Sequence, residues 1–214
     1  ETGAVTSFAG TLDIDGGALR PEEGTPPVAF QSAKAYFTFD PKRQRLDFSE
    51  ISFVAENGQL LAFGHSYLSE LDGLWPQAFL GQFEIERAAF DGGDIFDGPV
   101  ELSNLSADLR LRLDPFTVEI PQIAIDNEGT PISASAKIEA RDEGWHATVD
   151  ATTPVISSAR VLTFWPRAVA PITRGWLSNN LRAGTLYQTS AGLRFHSGET
   201  PDIGLSFNFD GGTV

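Results

Sequence analysis

Between Leu105 and Leu113 every odd position is leucine or alanine, while Ser106, Asp108, Arg110 and Arg112 fill the even ones. The same two-residue period runs through Ala33-Ala35-Phe37-Phe39, Ile132-Ala134-Ala136-Ile138, Trp145-Ala147-Val149-Ala151 and Ile203-Leu205-Phe207-Phe209. A period of two puts alternate side chains on opposite faces of a strand, so each segment predicts one apolar and one polar face. That pattern belongs to antiparallel sheet wetted on one side. It constrains the fold more than any other feature of the chain.

The breaks carry turn chemistry: Asp40-Pro41, Asn57-Gly58, Asp72-Gly73, Asp114-Pro115, Asn127-Glu128-Gly129 and Glu143-Gly144. Strands this closely spaced predict meanders rather than βαβ units. There is also an internal repeat. Phe8-Ala9-Gly10-Thr11-Leu12-Asp13-Ile14 matches Phe79-Leu80-Gly81-Gln82-Phe83-Glu84-Ile85, 71 residues later. Phe37-Thr38-Phe39-Asp40-Pro41 matches Leu111-Arg112-Leu113-Asp114-Pro115, and Ala183-Gly184-Thr185-Leu186 repeats the letters of Ala9-Gly10-Thr11-Leu12. Trp75-Pro76 and Trp165-Pro166 precede the second and third copies. The expected organisation is two tandem β repeats over 1–154 (about 8–78 and 79–154), a helical linker or cap over 155–184, and the start of a third repeat over 185–214. Repeats of this kind predict β units sharing one continuous apolar surface, with a duplicated sandwich as the alternative.

One stretch breaks the alternation. From Pro166 to Leu181, Val169, Ile172, Trp176, Leu177 and Leu181 follow helical spacing. Pro166 suits a first helical turn, Gly184 sits just past the end, and Pro171 argues for a kink or a late start. The expected fold class is therefore mostly β: repeated antiparallel meanders with one short amphipathic helix, which packs on the sheet or caps its open end.

Composition excludes several function classes. With 41% hydrophobic residues and 16 Phe among 214, the chain can bury a core. No apolar run approaches the ~18 residues of a membrane-spanning helix, which predicts a soluble piece. A formal charge of −14 repels phosphate backbones, so no nucleic-acid partner is expected. The same charge disfavours flat adsorption on anionic headgroups, but leaves a shielded apolar groove unaffected. The absence of Cys fits several compartments and selects none. There is no Met, and the opening Glu1-Thr2-Gly3 suggests an internal cut with no targeting segment left.

Catalytic material is scarce. His65, His146 and His196 look isolated, each without a second ligand at metal spacing. Gly64-His65-Ser66-Tyr67-Leu68 begins like a nucleophile elbow, yet Leu68 stands where a second glycine is needed. Asp91-Gly92-Gly93-Asp94-Ile95-Phe96-Asp97-Gly98 gathers carboxylates that could hold Ca²⁺, but it lacks ordered calcium-loop spacing and also fits ordinary turns. Asn104-Leu105-Ser106 is a glycosylation sequon. No acid, base and nucleophile set converges, so no enzyme and no cofactor are expected.

Phe164-Trp165-Pro166, Ala170-Pro171, Thr173-Arg174-Gly175-Trp176-Leu177, Asn180-Leu181, Gly184 and Leu186 together resemble a signature of the AsmA-like superfamily, nearest its YhdP-type branch and related to TamB. The match covers about thirty residues. Members of that superfamily are Gram-negative envelope proteins with an inner-membrane anchor and a long periplasmic β body. The body is taco-shaped, with an apolar groove implicated in moving phospholipid toward the outer membrane. The resemblance thus implies a periplasmic internal slice of an anchored parent, a taco-like groove, acyl chains of phospholipid as partner together with envelope proteins, and no catalytic residues. By facing, Phe37, Phe39, Leu109, Leu111, Ala134 and Phe207 are the groove-lining candidates. The alternative expectation is a closed β sandwich, a structural or protein-binding module that transports no lipid.

Overall fold

The computed structural model describes residues 7–73, 75–91, 93, 96–127, 129–167, 169–180 and 184–210. Eleven strands form one antiparallel sheet that is not closed: β1 (Phe8–Ile14), β4 (Ser32–Asp40), β5 (Arg45–Ala55), β6 (Gly58–Asp72), β7 (Trp75–Phe90), β8 (Val100–Arg112), β9 (Thr117–Asn127), β10 (Thr130–Arg141), β11 (Gly144–Ser157), β12 (Thr185–His196) and β13 (Asp202–Asp210), in that spatial order. Each of these strands lies beside the one before it in the sheet, and apart from the longer connections β1–β4, β7–β8 and β11–β12 the links are short polar turns. A two-stranded ribbon, β2 (Gly17–Leu19) with β3 (Val28–Phe30), forms the excursion between β1 and β4. Between β11 and β12 come α1 (Ser158–Phe164) and α2 (Pro171–Asn180).

Residues paired across antiparallel strands share a face. One such row crosses the whole sheet. It begins Gly10, Phe37, Phe48, Gly64, Phe83 on β1, β4, β5, β6 and β7. It continues Ala107, Ile123, Ala134, Ala151, Ala191, Leu205 on β8 to β13. Every member is apolar. The neighbouring row on the other face includes Thr38, Asp47, His65, Gln82, Asp108 and Gln122. The sheet is therefore one amphipathic surface, with an inner apolar face and an outer polar one. Outer ion pairs such as Glu70 with Arg110 and Arg112 lie in solvent, where each contributes little.

The repeat is visible in backbone irregularities as well as letters. The register shifts between Phe48 and Ile51 on β5, and again 71 residues later between Glu119 and Gln122 on β9. A bulge adds a residue and bends its strand, so its recurrence gives both copies the same bend. Phe8 and Phe79 both face the inner side, through the pairs Phe8–Phe39 and Phe79–Leu111. The third match behaves differently. Thr185-Leu186 begins β12, the tenth strand, which runs opposite to β1 and β7, the first and fifth. Those letters therefore do not open an equivalent repeat, and Ala183 lies outside the described residues. The boundary expected at 154 falls inside β11.

Two further expectations need correction. The helical region holds two helices rather than one. Ser157 caps α1, its hydroxyl accepting from the Arg160 N–H. Pro166 lies past the end of α1 instead of starting a helix, because the residue before a proline is pushed out of helical conformation. Pro171 is the first residue of α2, the position that needs no N–H. Leu181 lies outside the described residues. A closed sandwich does not form either: among the described residues no second large sheet faces the inner side. The accessible surface of 13051 Å² exceeds by about a third the roughly 9,700 Å² expected of a folded chain of this mass. Among the described residues a buried core cluster lies at the helices, where Ile156, Val161, Trp165, Leu177 and Leu186 are buried together.

Candidate functional site

The inner face has three regions: an open floor, a strap and a helical cap. On the floor, Phe37, Phe39, Leu109 and Leu111 are half-buried rather than enclosed. Phenyl rings lie along it in sequence: Phe8 on Phe39 at 5.4 Å, and Phe37, Phe48 and Phe83 in a chain at 6.1 and 6.0 Å between centroids. Several of these rings lie low because glycine makes room beneath them. A Cβ on Gly10 would come within 2.6 Å of the Phe37 ring, and one on Gly81 within 2.5 Å of Phe83. These are the glycines that the repeat places 71 apart. Phe over Gly covers backbone with aromatic surface and leaves the space above the sheet empty.

The strap is the excursion from 15 to 31. Phe30 packs on the inner-face residue Phe53 of β5, at 5.6 Å. Four residues earlier, the Pro26 carbonyl accepts a 2.7 Å hydrogen bond from the indole of Trp145 on β11. Gly24 lies so close to the Asp142 carbonyl in the β10–β11 turn that no side chain fits. On a flat sheet β5 and β11 would stand about 29 Å apart, six strand spacings. Four residues of chain reach at most about 14 Å. The sheet must therefore curl, so that strands on either side of the floor approach each other across the strap. The curl makes the apolar face a trough, bridged from above.

The cap covers the floor between β8 and β13. Sheet residues including Leu105, Ile123, Ile132 and Val149, and cap residues including Val161, Phe164 and Trp165, line a half-open cavity of about 410 Å³. Ala134 belongs to its wall. Phe207, a groove candidate, instead packs against the cap core. The indole N–H of Trp165 donates to the Val169 carbonyl at 2.8 Å, so the ring offers the cavity only its apolar surface. A clasp ties the cap to the β7–β8 loop. Asp97 accepts from Arg167 at 3.0 Å and from Arg174, and these two guanidinium groups hold its carboxyl below the usual range. Asp97 is thereby engaged by arginines. Gly92, Asp94 and Ile95 of the same acidic loop lie outside the described residues.

The residues weighed for chemistry divide between the faces. Ser66 is buried on the inner face, paired with Leu46 and Gly81, while His65 faces outward. His146 and His196 are not isolated: they pair across β11 and β12 on the outer face, rings 4.5 Å apart, beside Glu143 and Glu199 respectively. Among the described residues no group of three or more His, Cys, Asp or Glu could hold a metal ion. No described helix is long and apolar enough to cross a membrane. Of the cavity walls, Ile123 and Val161 were not singled out in the sequence, Val149 was placed only on an apolar strand face, and Phe164 was read only as part of the signature around Trp165-Pro166. No protein-family model, curated protein or solved structure matches the chain.

Proposed function

We propose that this chain carries lipid, with acyl chains lying against the inner apolar face and headgroups wet at its rim. The observation that supports this most is the eleven-residue apolar row, which crosses every strand of an open sheet and stays half-exposed over the floor. An exposed apolar surface on this scale marks a binding surface. Hydrocarbon gains roughly 0.8 kcal/mol per buried methylene there, without any specific polar contact. The reading extends to a periplasmic segment of an AsmA-like envelope protein, passing phospholipid between membranes as part of an anchored parent. That extension rests on the resemblance around Trp165–Trp176.

Native mass spectrometry of the purified protein tests the first step. Bound phospholipid that survives desalting, and is replaced on incubation with vesicles of another acyl composition, is expected. A protein that is empty as purified and takes up no lipid from vesicles refutes the proposal.

A further inference from the structure

We propose that the cavity under the helical cap is a seat for one linear hydrocarbon tail of about sixteen carbons, a binding site distinct from the open floor. The inference rests on the lipid-carrying reading and names what that face holds at one place.

Three observations carry it. The first is size. An engineered apolar cavity of about 150 Å³ takes a benzene, so 410 Å³ accommodates about sixteen carbons. The second is chemistry. The strand backbones lining it are spent on sheet pairing, the Trp165 N–H is spent on Val169, and the Thr153 hydroxyl donates to the Val155 carbonyl at 3.1 Å. A peptide segment placed there would orphan its own N–H and C=O groups, which excludes a protein occupant. Among the described residues the buried Thr189 hydroxyl has no hydrogen-bond partner, and it is too little to hold a headgroup. The third is continuity. Ala134 of the cavity wall stands in the same inner-face row as the floor residues Ala107 and Phe83, and Leu105 of that wall stands in the row beside it, with Ile85 and Ile125. A tail can therefore slide from floor to cap without crossing polar surface. The cap adds a second apolar wall beside a chain lying on the sheet, where the floor offers only one.

Trp165 is the built-in reporter. In a protein carrying Trp75→Phe, Trp145→Phe and Trp176→Phe, it is the one remaining indole of four. Hexadecanoic acid brominated near its methyl end should quench this indole more than twofold at saturation. A matched protein retaining only Trp176, which packs on Phe209 at 6.1 Å and does not line the cavity, should be quenched far less. Ala151→Phe, which fills the cavity from the sheet side, should abolish the Trp165 quench. Thr189→Val should leave the quench unchanged. Phospholipid uptake with an unquenched Trp165, equal quenching of both reporters, or loss of the quench in Thr189→Val overturns the cap site while the trough reading stands. Uptake of neither lipid overturns both. The Trp165 result in the unfilled protein decides the matter even if Ala151→Phe fails to fold.

Discussion

Leu109 shows what a single position can report. It lies opposite Gly81 on the open floor and is half-buried, so a carboxylate placed there keeps contact with water. In a closed core, burying an unpaired charge would cost several kcal/mol and unfold the chain. On this floor, Leu109→Asp should cost about 1 kcal/mol, the central value for point substitutions. Lipid loading should drop sharply, because the charge interrupts the apolar face. Thermal melting beside fluorescent-lipid binding checks both halves; a variant that cannot fold would mean that the floor is covered. Facing was legible at this scale. Phe37, Phe39, Leu109 and Leu111 were placed on the inner side from alternation alone, and they are there. Exposure was not legible, since alternation is the same for a trough floor and a sandwich core. The His146–His196 contact was also hidden, because it depends on the β11–β12 register, which 27 residues of cap and loop separate in sequence.

The strap and the clasp are elements whose work can be undone by small changes. Trp145→Phe keeps the ring against Phe116 and removes only the hydrogen bond to Pro26. The strap should then open more often, and cleavage by a glutamate-specific protease after Glu22 or Glu23 should rise several-fold at unchanged sheet content. Equal cleavage rates would show that the indole bond does not hold the strap. The clasp should respond to acid. The carboxyl of Asp97 titrates below its ordinary value in the folded chain, so its contribution is present above the unfolded carboxylate pKa and is lost as pH falls through the folded one. Asp97→Asn should lower the melting temperature slightly near neutral pH, and the difference should vanish in strong acid. A difference that persists below the carboxylate range would assign it to something other than this ion pair. The strands were legible because period two is dense in them. The strap was not singled out in the sequence, since its contacts with Asp142 and Trp145 lie more than a hundred residues away. The cap was half legible: Pro171 marked the true start of α2, while α1 follows β11 with no break that periodicity can register.

At the scale of the whole molecule, charge and shape separate two ways of meeting lipid. The chain carries −14, and ion pairs on the sheet stand on its outer face, for example Lys34 with Asp13, Arg194 with Asp150 and Lys137 with Glu139. The inner row carries no charge on any of its eleven strands. The 71-residue repeat, legible as letters, became a repeated bulge and so a repeated bend; the curl that makes the trough is a product of sheet twist summed over many strands and was not legible in any one segment. Lipid held inside such a trough is bound by transfer of hydrocarbon from water. Its affinity should not fall as salt rises, and uptake of a zwitterionic and an anionic lipid of equal chain length should differ by only a few-fold. Binding should also show a negative heat-capacity change, the mark of apolar burial. Adsorption of a −14 surface on a membrane would behave differently: repelled by anionic vesicles at low salt and strengthened as screening shortens the Debye length from about 30 Å at 0.01 M to about 8 Å at 0.15 M. Isothermal titration at those two ionic strengths, with zwitterionic and anionic lipid of one chain length, distinguishes them. Near-equal affinities with a negative heat-capacity change are expected; an affinity set by headgroup charge and salt would place the lipid on the outer surface rather than in the trough.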